Sequence, residues 1–290
     1  MGNIDVTLFT DPGCPWAYSA IPAVSVLRWR YGAQLRWRIV TIGLSEDVSR
    51  YLENGYTPTR MSVANAYFKR YGMPILAEPR QRPAATGRAC RAIVAARLLD
   101  PEREAEVLRA LQLAWFNTTL LLDEDEDIAV ALEPVRGLDV AAILAAIDDE
   151  GTLAAYEQDK LETRSAEGGP TDFQGKARQT DGPVRYSAPS IVFTGPDTRL
   201  EAGGFQPVEA YDVLIANLDP TLDREQPPES PLPALQRFPA GLVTQEVAAI
   251  MAQNNMAADR AAAERALIEL AGEGAARRIS VGDDALWQAC

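Results

Sequence analysis

The stretch 4–42 leaves the chain few folds to choose from. Ile4-Asp5-Val6-Thr7-Leu8-Phe9 alternates apolar and polar side chains in the two-residue rhythm of a strand, and Asp11-Pro12-Gly13 stops it as a turn. Residues 15–31 suit a helix, with Pro15 at a tolerated first-turn position and Gly32 as the stop signal. Leu35-Arg36-Trp37-Arg38-Ile39-Val40-Thr41-Ile42 alternates again and predicts a second strand. Strand, helix and strand at this spacing make a βαβ unit, whose strands run parallel with a right-handed crossover. Cys14 falls where the first strand hands over to the helix.

From 45 to 166 the pattern turns helical: 89–99, 101–116, 125–136 and 139–164 carry apolar residues at spacings of three and four, separated by proline, glycine or acidic starts. This predicts an all-helical insertion, 45–167, between two halves of an α/β domain, 1–44 and 168–220. After the polar, glycine-rich 168–182, strand character resumes at Ser190-Ile191-Val192-Phe193. Gly195-Pro196-Asp197 then turns into Arg199-Leu200-Glu201-Ala202, and 207–218 reads as a closing helix. Proline and acidic residues around 221–233 suit an exposed linker. Beyond it, 234–290 reads as a separate small unit. Three helical stretches precede Arg277-Arg278-Ile279-Ser280-Val281, which meets Ala285-Leu286-Trp287 across Gly282-Asp283-Asp284, the order of a winged helix.

At 290 residues and 47% hydrophobic, the chain can bury a substantial core. No apolar run approaches the roughly eighteen residues of a membrane helix. MGNIDVTLFT lacks the basic and long apolar parts of a secretory signal, so the cytoplasm is the expected address. Met1-Gly2 suggests myristoylation, but Val6 stands where that signal needs Ser or Thr. Three cysteines, Cys14, Cys90 and Cys290, are too few and scattered for a secreted disulfide framework and read as free thiols. Histidine is absent, which excludes Ser-His-Asp triads, Cys-His dyads and His-ligated zinc. A net charge of −13 argues against nucleic acid and anionic membranes as partners. The charge is uneven: 28–91 holds 12 Lys/Arg and 4 Asp/Glu, whereas 100–164 holds 17 acidic and 5 basic residues. One half can attract an anion that the other repels.

In cysteine chemistry the thiolate is the nucleophile, and a helix N-terminus favours it through unpaired N–H groups and aligned peptide dipoles. Cys14, directly before Pro15, is placed for that activation. Cys14-Pro15-Trp16 after a strand, then a helical insertion, then Ser187-Ala188-Pro189-Ser190 opening a strand, resembles the thioredoxin-fold family of DsbA-like oxidoreductases. The branch is the cytoplasmic one related to FrnE and to 2-hydroxychromene-2-carboxylate isomerase, with kappa-class glutathione transferases as cousins. The resemblance covers about residues 3–220 and includes Gly203-Gly204-Phe205-Gln206-Pro207. It implies an α/β thioredoxin fold with a large all-helical insertion, to which the winged-helix-like C-terminal unit is appended. It also implies that Cys14 attacks and that the Ala188-Pro189 bond is cis, which turns the backbone so that Ala188 can pair with an extended substrate. Asp11, Pro15, Trp16 and Ala188 are then supporting residues, and Gly203 and Gly204 are candidates for cofactor contact.

Ala17 departs from the family pattern, because dithiol members carry a resolving cysteine there to release a mixed disulfide formed on the first. The expected activity is thiol-disulfide exchange through Cys14 alone, in a CPWA motif. A low-molecular-weight thiol of glutathione or mycothiol type, or else Cys90, would complete it. Cys90 lies in Ala89-Cys90-Arg91-Ala92 and reads either as a second thiol or as helix packing; Cys290 reads as incidental. Arg80, Arg82 and Arg88 form a candidate cluster for an anionic thiol cofactor, or pair with the acidic half of the insertion. Tyr18 is core or ligand contact. The alternatives to exchange are a thiol-cofactor-dependent isomerase or transferase and a non-catalytic binding member. The partners are a small thiol or disulfide and, through the tail, another protein.

Two further signals fail inspection. Asp123-Glu124-Asp125-Glu126-Asp127 invites a calcium reading, but an EF-hand loop started there would place Ile128 and Pro134 where glycine and glutamate are needed. It reads as an acidic helix start, and no metal is expected. The tail, with 5 basic and 7 acidic residues over 231–290 and Asp283-Asp284 at its turn, is a poor surface for phosphate.

Overall fold

The structure, a computed structural model, describes residues 4–180 and 182–290; Met1 and Gly2 lie outside them. The βαβ unit is built from β1 (Ile4–Thr10), α1 (Pro15–Ser19), α2 (Ile21–Tyr31) and β2 (Leu35–Thr41). β1 and β2 pair in parallel from Ile4 opposite Leu35 to Thr10 opposite Thr41. The expected single helix over 15–31 is in fact two. Pro22 has no N–H to offer the Tyr18 carbonyl and its ring crowds that group, so the run breaks at Ala20.

Eight helices follow β2 among the described residues: α3 (Ser49–Glu53), α4 (Pro58–Ala66), α5 (Gly87–Leu99), α6 (Glu104–Asn117), α7 (Asp125–Leu132), α8 (Val140–Ala146), α9 (Glu150–Thr163) and α10 (Pro170–Phe173). The helix expected over 139–164 divides into α8 and α9, because the backbone of Asp149 leaves the helical region at the N-cap position of the second. Residues 101–103 form a turn of 3-10 helix ahead of α6 rather than its first turn. β3 (Ser190–Thr194) then returns antiparallel to β1, β4 (Arg199–Gly203) pairs antiparallel to β3, and α11 (Val208–Leu218) closes the domain. The sheet order is β2-β1-β3-β4. Leu27 and Tyr31 of α2, with Tyr211 and Ile215 of α11, pack on one sheet face against Ile4, Val6 and Phe193. The core of the insertion, including Ile93, Leu111, Phe116 and Leu132, is continuous with Tyr18 of α1 and Ile39 of β2.

The tail consists of α12 (Pro231–Arg237), β5 (Leu242–Val243), α13 (Thr244–Met251), α14 (Arg260–Gly272), β6 (Ala276–Val281) and β7 (Asp284–Ala289), with sheet order β5-β7-β6. Two expectations need correction here. The tail is not separate: Val26 and Trp29 of α2 share a core with Leu235, Val247, Leu267 and Trp287. Nor is 221–233 a free linker. Its backbone is tied along α2 by Glu225 N–H to the Arg30 carbonyl (2.8 Å), Trp29 Nε1 to the Gln226 carbonyl (2.9 Å) and Gln34 to both backbone groups of Asp223, and α12 begins inside it at Pro231. A chain that lies against a helix satisfies its backbone there. Even the expected turn tip is docked, since Asp283 pairs with Lys69 at 2.6 Å and accepts from the Ile75 N–H at 3.0 Å. No helix among the described residues is long and apolar enough to cross a membrane.

One buried carboxylate joins the three parts. Glu246 on α13 is fully buried and takes both guanidinium nitrogens of Arg109 on α6 at 3.0 and 2.6 Å, the Ser25 hydroxyl of α2 at 2.7 Å and the Val243 N–H at 2.9 Å. Removing one partner of a buried pair strands the other without water. Glu246→Ala is therefore expected to lower unfolding free energy by about 3–5 kcal/mol in urea melts followed by tryptophan fluorescence, in one transition. A loss below about 1 kcal/mol, the value of an exposed pair, or earlier melting of the tail alone, would refute this account.

Candidate active site

At the carboxyl end of β1 the chain must turn sharply into α1, and Asp11 organises that turn. Its carboxylate, fully buried, accepts from the Gly13 N–H (2.9 Å), the Leu44 N–H after β2 (2.8 Å), the Thr86 hydroxyl before α5 (3.0 Å) and the Cys90 thiol (3.6 Å). Gly13 packs too tightly for any side chain: an added Cβ would lie 2.5 Å from Thr86 and 2.8 Å from Trp115. The insertion is thus pressed directly onto the turn that presents Cys14.

Cys14 stands at the N-cap of α1, ahead of Pro15, and is 6% exposed. Its thiol donates to the Ala188 carbonyl at 3.2 Å, and the Ala188-Pro189 peptide is cis. The structure thus brings together Asp11, Cys14, Pro15, Trp16, Ala188 and Pro189. Trp16 is 38% exposed beside the thiol and packs with Phe68, Tyr71 and Phe205, ring centroids 4.9, 5.5 and 5.6 Å away. Tyr18 is core: it stacks on Phe116, donates to the Pro74 carbonyl and accepts from Asn117 Nδ2. A cavity of about 290 Å³ reaches Ala17 and Pro189 from the α2 side and does not have Cys14 among its walls.

The expected activation of Cys14 is opposed by burial in this closed arrangement. Burial pushes the thiol up from 9.0 to about 12, because a thiolate there would lose its water, and the Asp11 charge adds to the rise. The backbone of Ala17 and Trp16 and the charge of Arg185 pull the other way, as a helix end should, and are outweighed.

The remaining candidates are placed as follows. Cys90 is free, buried with Val94 and Tyr156, and engaged with Asp11; desolvation and the Asp11 charge hold its thiol well above its ordinary value. Cys290 is free and exposed. The three arginines are corrected from anion ligands to internal partners. Arg80 lies over Trp115 and donates to the Leu120 and Trp115 carbonyls, with burial lowering it to about 10. Arg82 pairs with Asp123 and Glu124, and Arg88 with Asp125 and Asp148. The acidic run is therefore their counter-surface, which is where excess positive and negative halves of a chain should meet. Gly203 abuts Thr171 and Lys176, and Gly204, at φ +72°, donates to Ser190 Oγ; both serve backbone approach. Sequence reasoning missed Thr86, Tyr71 and Phe205. Phe205 adjoined the glycine pair in plain view, whereas nothing local marked Thr86 or Tyr71.

Two outcomes follow from the buried thiol. Alkylation of Cys14 by iodoacetamide should stay slow through pH 9 and rise towards pH 12, and Asp11→Asn should shift that profile downward by removing a like charge. A profile centred at or below the free-thiol value of about 8.5 would contradict the buried arrangement. The linkage sign is also set: below 9.0 the thiol is neutral folded or unfolded, whereas above it only the unfolded thiol ionises. Stability should therefore fall as pH climbs from 9.0 towards about 12, in melts across that range.

Comparison with known proteins agrees with this geometry. The sequence model described as a DSBA-like thioredoxin domain matches residues 5–185. A comparison with curated proteins found no match. Among solved structures, the cytosolic disulfide reductase DsbM from Pseudomonas aeruginosa superposes with a TM-score of 0.52 at 18% identity, covering 74% of this chain and 98% of that one. The structure of the same protein with GSH gives 0.53 at the same identity and coverage. A probable DsbA oxidoreductase from Streptomyces coelicolor gives 0.51 at 15% identity, covering 76% and 91%. At these identities the structural matches establish the fold. Because the sequence match takes in more than half of the 290 residues, the chain belongs to the DSBA-like thioredoxin domain family.

Proposed function

We propose that this family member is a thiol-disulfide oxidoreductase working through Cys14 as a single nucleophile. The observation that carries the reading is the Cys14 thiol on the Ala188 carbonyl, ahead of Pro189, at the start of α1, with Ala17 three residues on. In the first step the Cys14 thiolate attacks one sulfur of a disulfide, forms a mixed disulfide with that half and releases the other half as a thiolate. In the second, the thiolate of a small thiol attacks the mixed disulfide, takes the bound half as a new disulfide and returns Cys14. Sulfur-sulfur bonds are conserved in number, and the small thiol is the reductant. A glutathione- or mycothiol-like partner is supported by the DsbM structure with GSH, and a reducing, cytoplasmic compartment suits such a partner. Cys90 is the less favoured resolver because its thiol is committed to Asp11.

One observation favours a second reading, a binding member without catalysis: the closed site holds the Cys14 thiol near 12, far from the thiolate that exchange requires. A thiol-cofactor-dependent isomerase or transferase would need the same thiolate or a bound small thiol in its place. We read the tail as winged-helix-like from its order of helix, strand, two helices and hairpin, and as a packing unit for α2, with a protein partner as its further role.

Turnover of hydroxyethyl disulfide with glutathione decides among these. Cys14→Ser should abolish it, Cys90→Ser should leave it, and mass spectrometry of oxidised protein should find one glutathione on Cys14. Equal turnover by Cys14→Ser sinks the exchange reading, and a trapped Cys14 to Cys90 bridge would move resolution to Cys90. Ala17→Cys should form an internal disulfide and gain exchange without added thiol.

A further inference from the structure

Between the insertion and the tail lies a cavity of about 770 Å³ that the thiol chemistry does not use. Its apolar walls face each other from two units: Leu113, Val130 and Val135 on or after α6 and α7, and Ile279, Val281 and Leu286 on the β6–β7 hairpin. Pockets of roughly 300–1,000 Å³ bury most of a small organic ligand.

Its polar groups are the informative part. Four arginines, Arg103, Arg109, Arg136 and Arg277, and one carboxylate, Glu106, belong to the lining. Arg103 is neutralised by Glu106 and Asp100, and Arg109 by Glu246. Arg136 and Arg277 have no carboxylate partner among the described residues; Arg277 meets only the Gln288 amide. On a chain of charge −13, two uncompensated guanidiniums at an apolar hollow are a local reversal of sign. Within the wall, Asn117 is 8% exposed; its Nδ2 serves the Tyr18 hydroxyl and the Leu113 carbonyl, and its Oδ1 is sealed against Gly282 of the hairpin turn.

We propose that this cavity binds a small amphipathic organic anion. Its apolar body lies between α6 and the hairpin, and its carboxylate or equivalent meets Arg136 and Arg277. One wall of the cavity lies within the 5–185 match and the other outside it, so the site forms where this chain's extension meets the matched domain. It is also one side chain from the catalytic helix, because Asn117 holds Tyr18 of α1.

Calorimetric titration of the full-length protein with decanoate, and with decyltrimethylammonium as the opposite-charge control, tests this. Decanoate should bind at one site and the cation at least about tenfold more weakly. The double variant Arg136→Glu, Arg277→Glu alters two exposed residues and should weaken decanoate about tenfold or more while leaving the melting curve unchanged. Ala110→Trp, which fills the hollow, should abolish binding; if it fails to fold, the charge variant decides. Absence of decanoate binding at millimolar concentration, equal binding of the two amphiphiles, or undiminished binding by the charge variant would each overturn the proposal.

Discussion

The site depends on a carboxylate with no access to water. Asp11 gathers donors from its own turn, from the loop after β2 and from the start of α5, and so clamps together three segments that are far apart in sequence. Its own burial raises its pKa, and the hydrogen bonds oppose that rise. A buried network of this kind is stable only when its members are all satisfied, and it then enforces one arrangement. Cys14 begins α1 three residues later and inherits that arrangement along with the charge.

That inheritance explains the conflict between the two effects acting on the thiol. A helix N-terminus favours the thiolate, and its influence is present in the backbone of Ala17 and Trp16. Five residues of α1, broken from α2 by Pro22, supply a short helix end, while the insertion, Ala188 and Tyr186 remove solvent from the sulfur. Desolvation outweighs a partial charge when the site is closed. A protein that uses this thiol must therefore uncover it, and reactivity becomes a matter of exposure as much as of electrostatics.

How much of this could be read in the sequence follows the range of each signal. The βαβ unit was legible because alternation and the Pro and Gly punctuation of 4–42 are local. The break at Pro22 was equally local and was overridden by periodicity. The charge asymmetry correctly exposed an excess of arginine near 80–88, but a count has no geometry and could not tell a cofactor site from the pairing with Asp123, Glu124 and Asp125. Thr86, Tyr71 and Phe205 reach the site only through tertiary folding. The docking of the tail left one readable trace: α2 is apolar on two sides, with Leu27 and Tyr31 for the sheet and Val26 and Trp29 for the tail. A helix apolar all round has something on each side of it.

The contacts of α6 decide on which side Cys14 can be uncovered. Trp115 of this helix bears on Gly13, nearly two turns earlier Arg109 is locked to Glu246, and Thr86 holds Asp11 from the start of α5. Movement of the insertion away from the turn would break the Asp11 network and strain the ion pair together, so that face is fixed. The side towards β3 and β4 has weaker ties. There the thiol has one hydrogen bond, to Ala188, and Trp16, two residues on, is 38% exposed and held by ring contacts with Phe68 and Tyr71 at the rim of the insertion and with Phe205 after β4. Ring contacts of this kind are worth about 0.5–1.5 kcal/mol each, within reach of the binding energy of a small ligand or an extended peptide. On the reading proposed above, a disulfide approaching along Ala188 would reach the Cys14 sulfur by displacing Trp16 while the Asp11 clamp stays intact, so the side of Trp16 and Phe205 is the face on which exchange would begin.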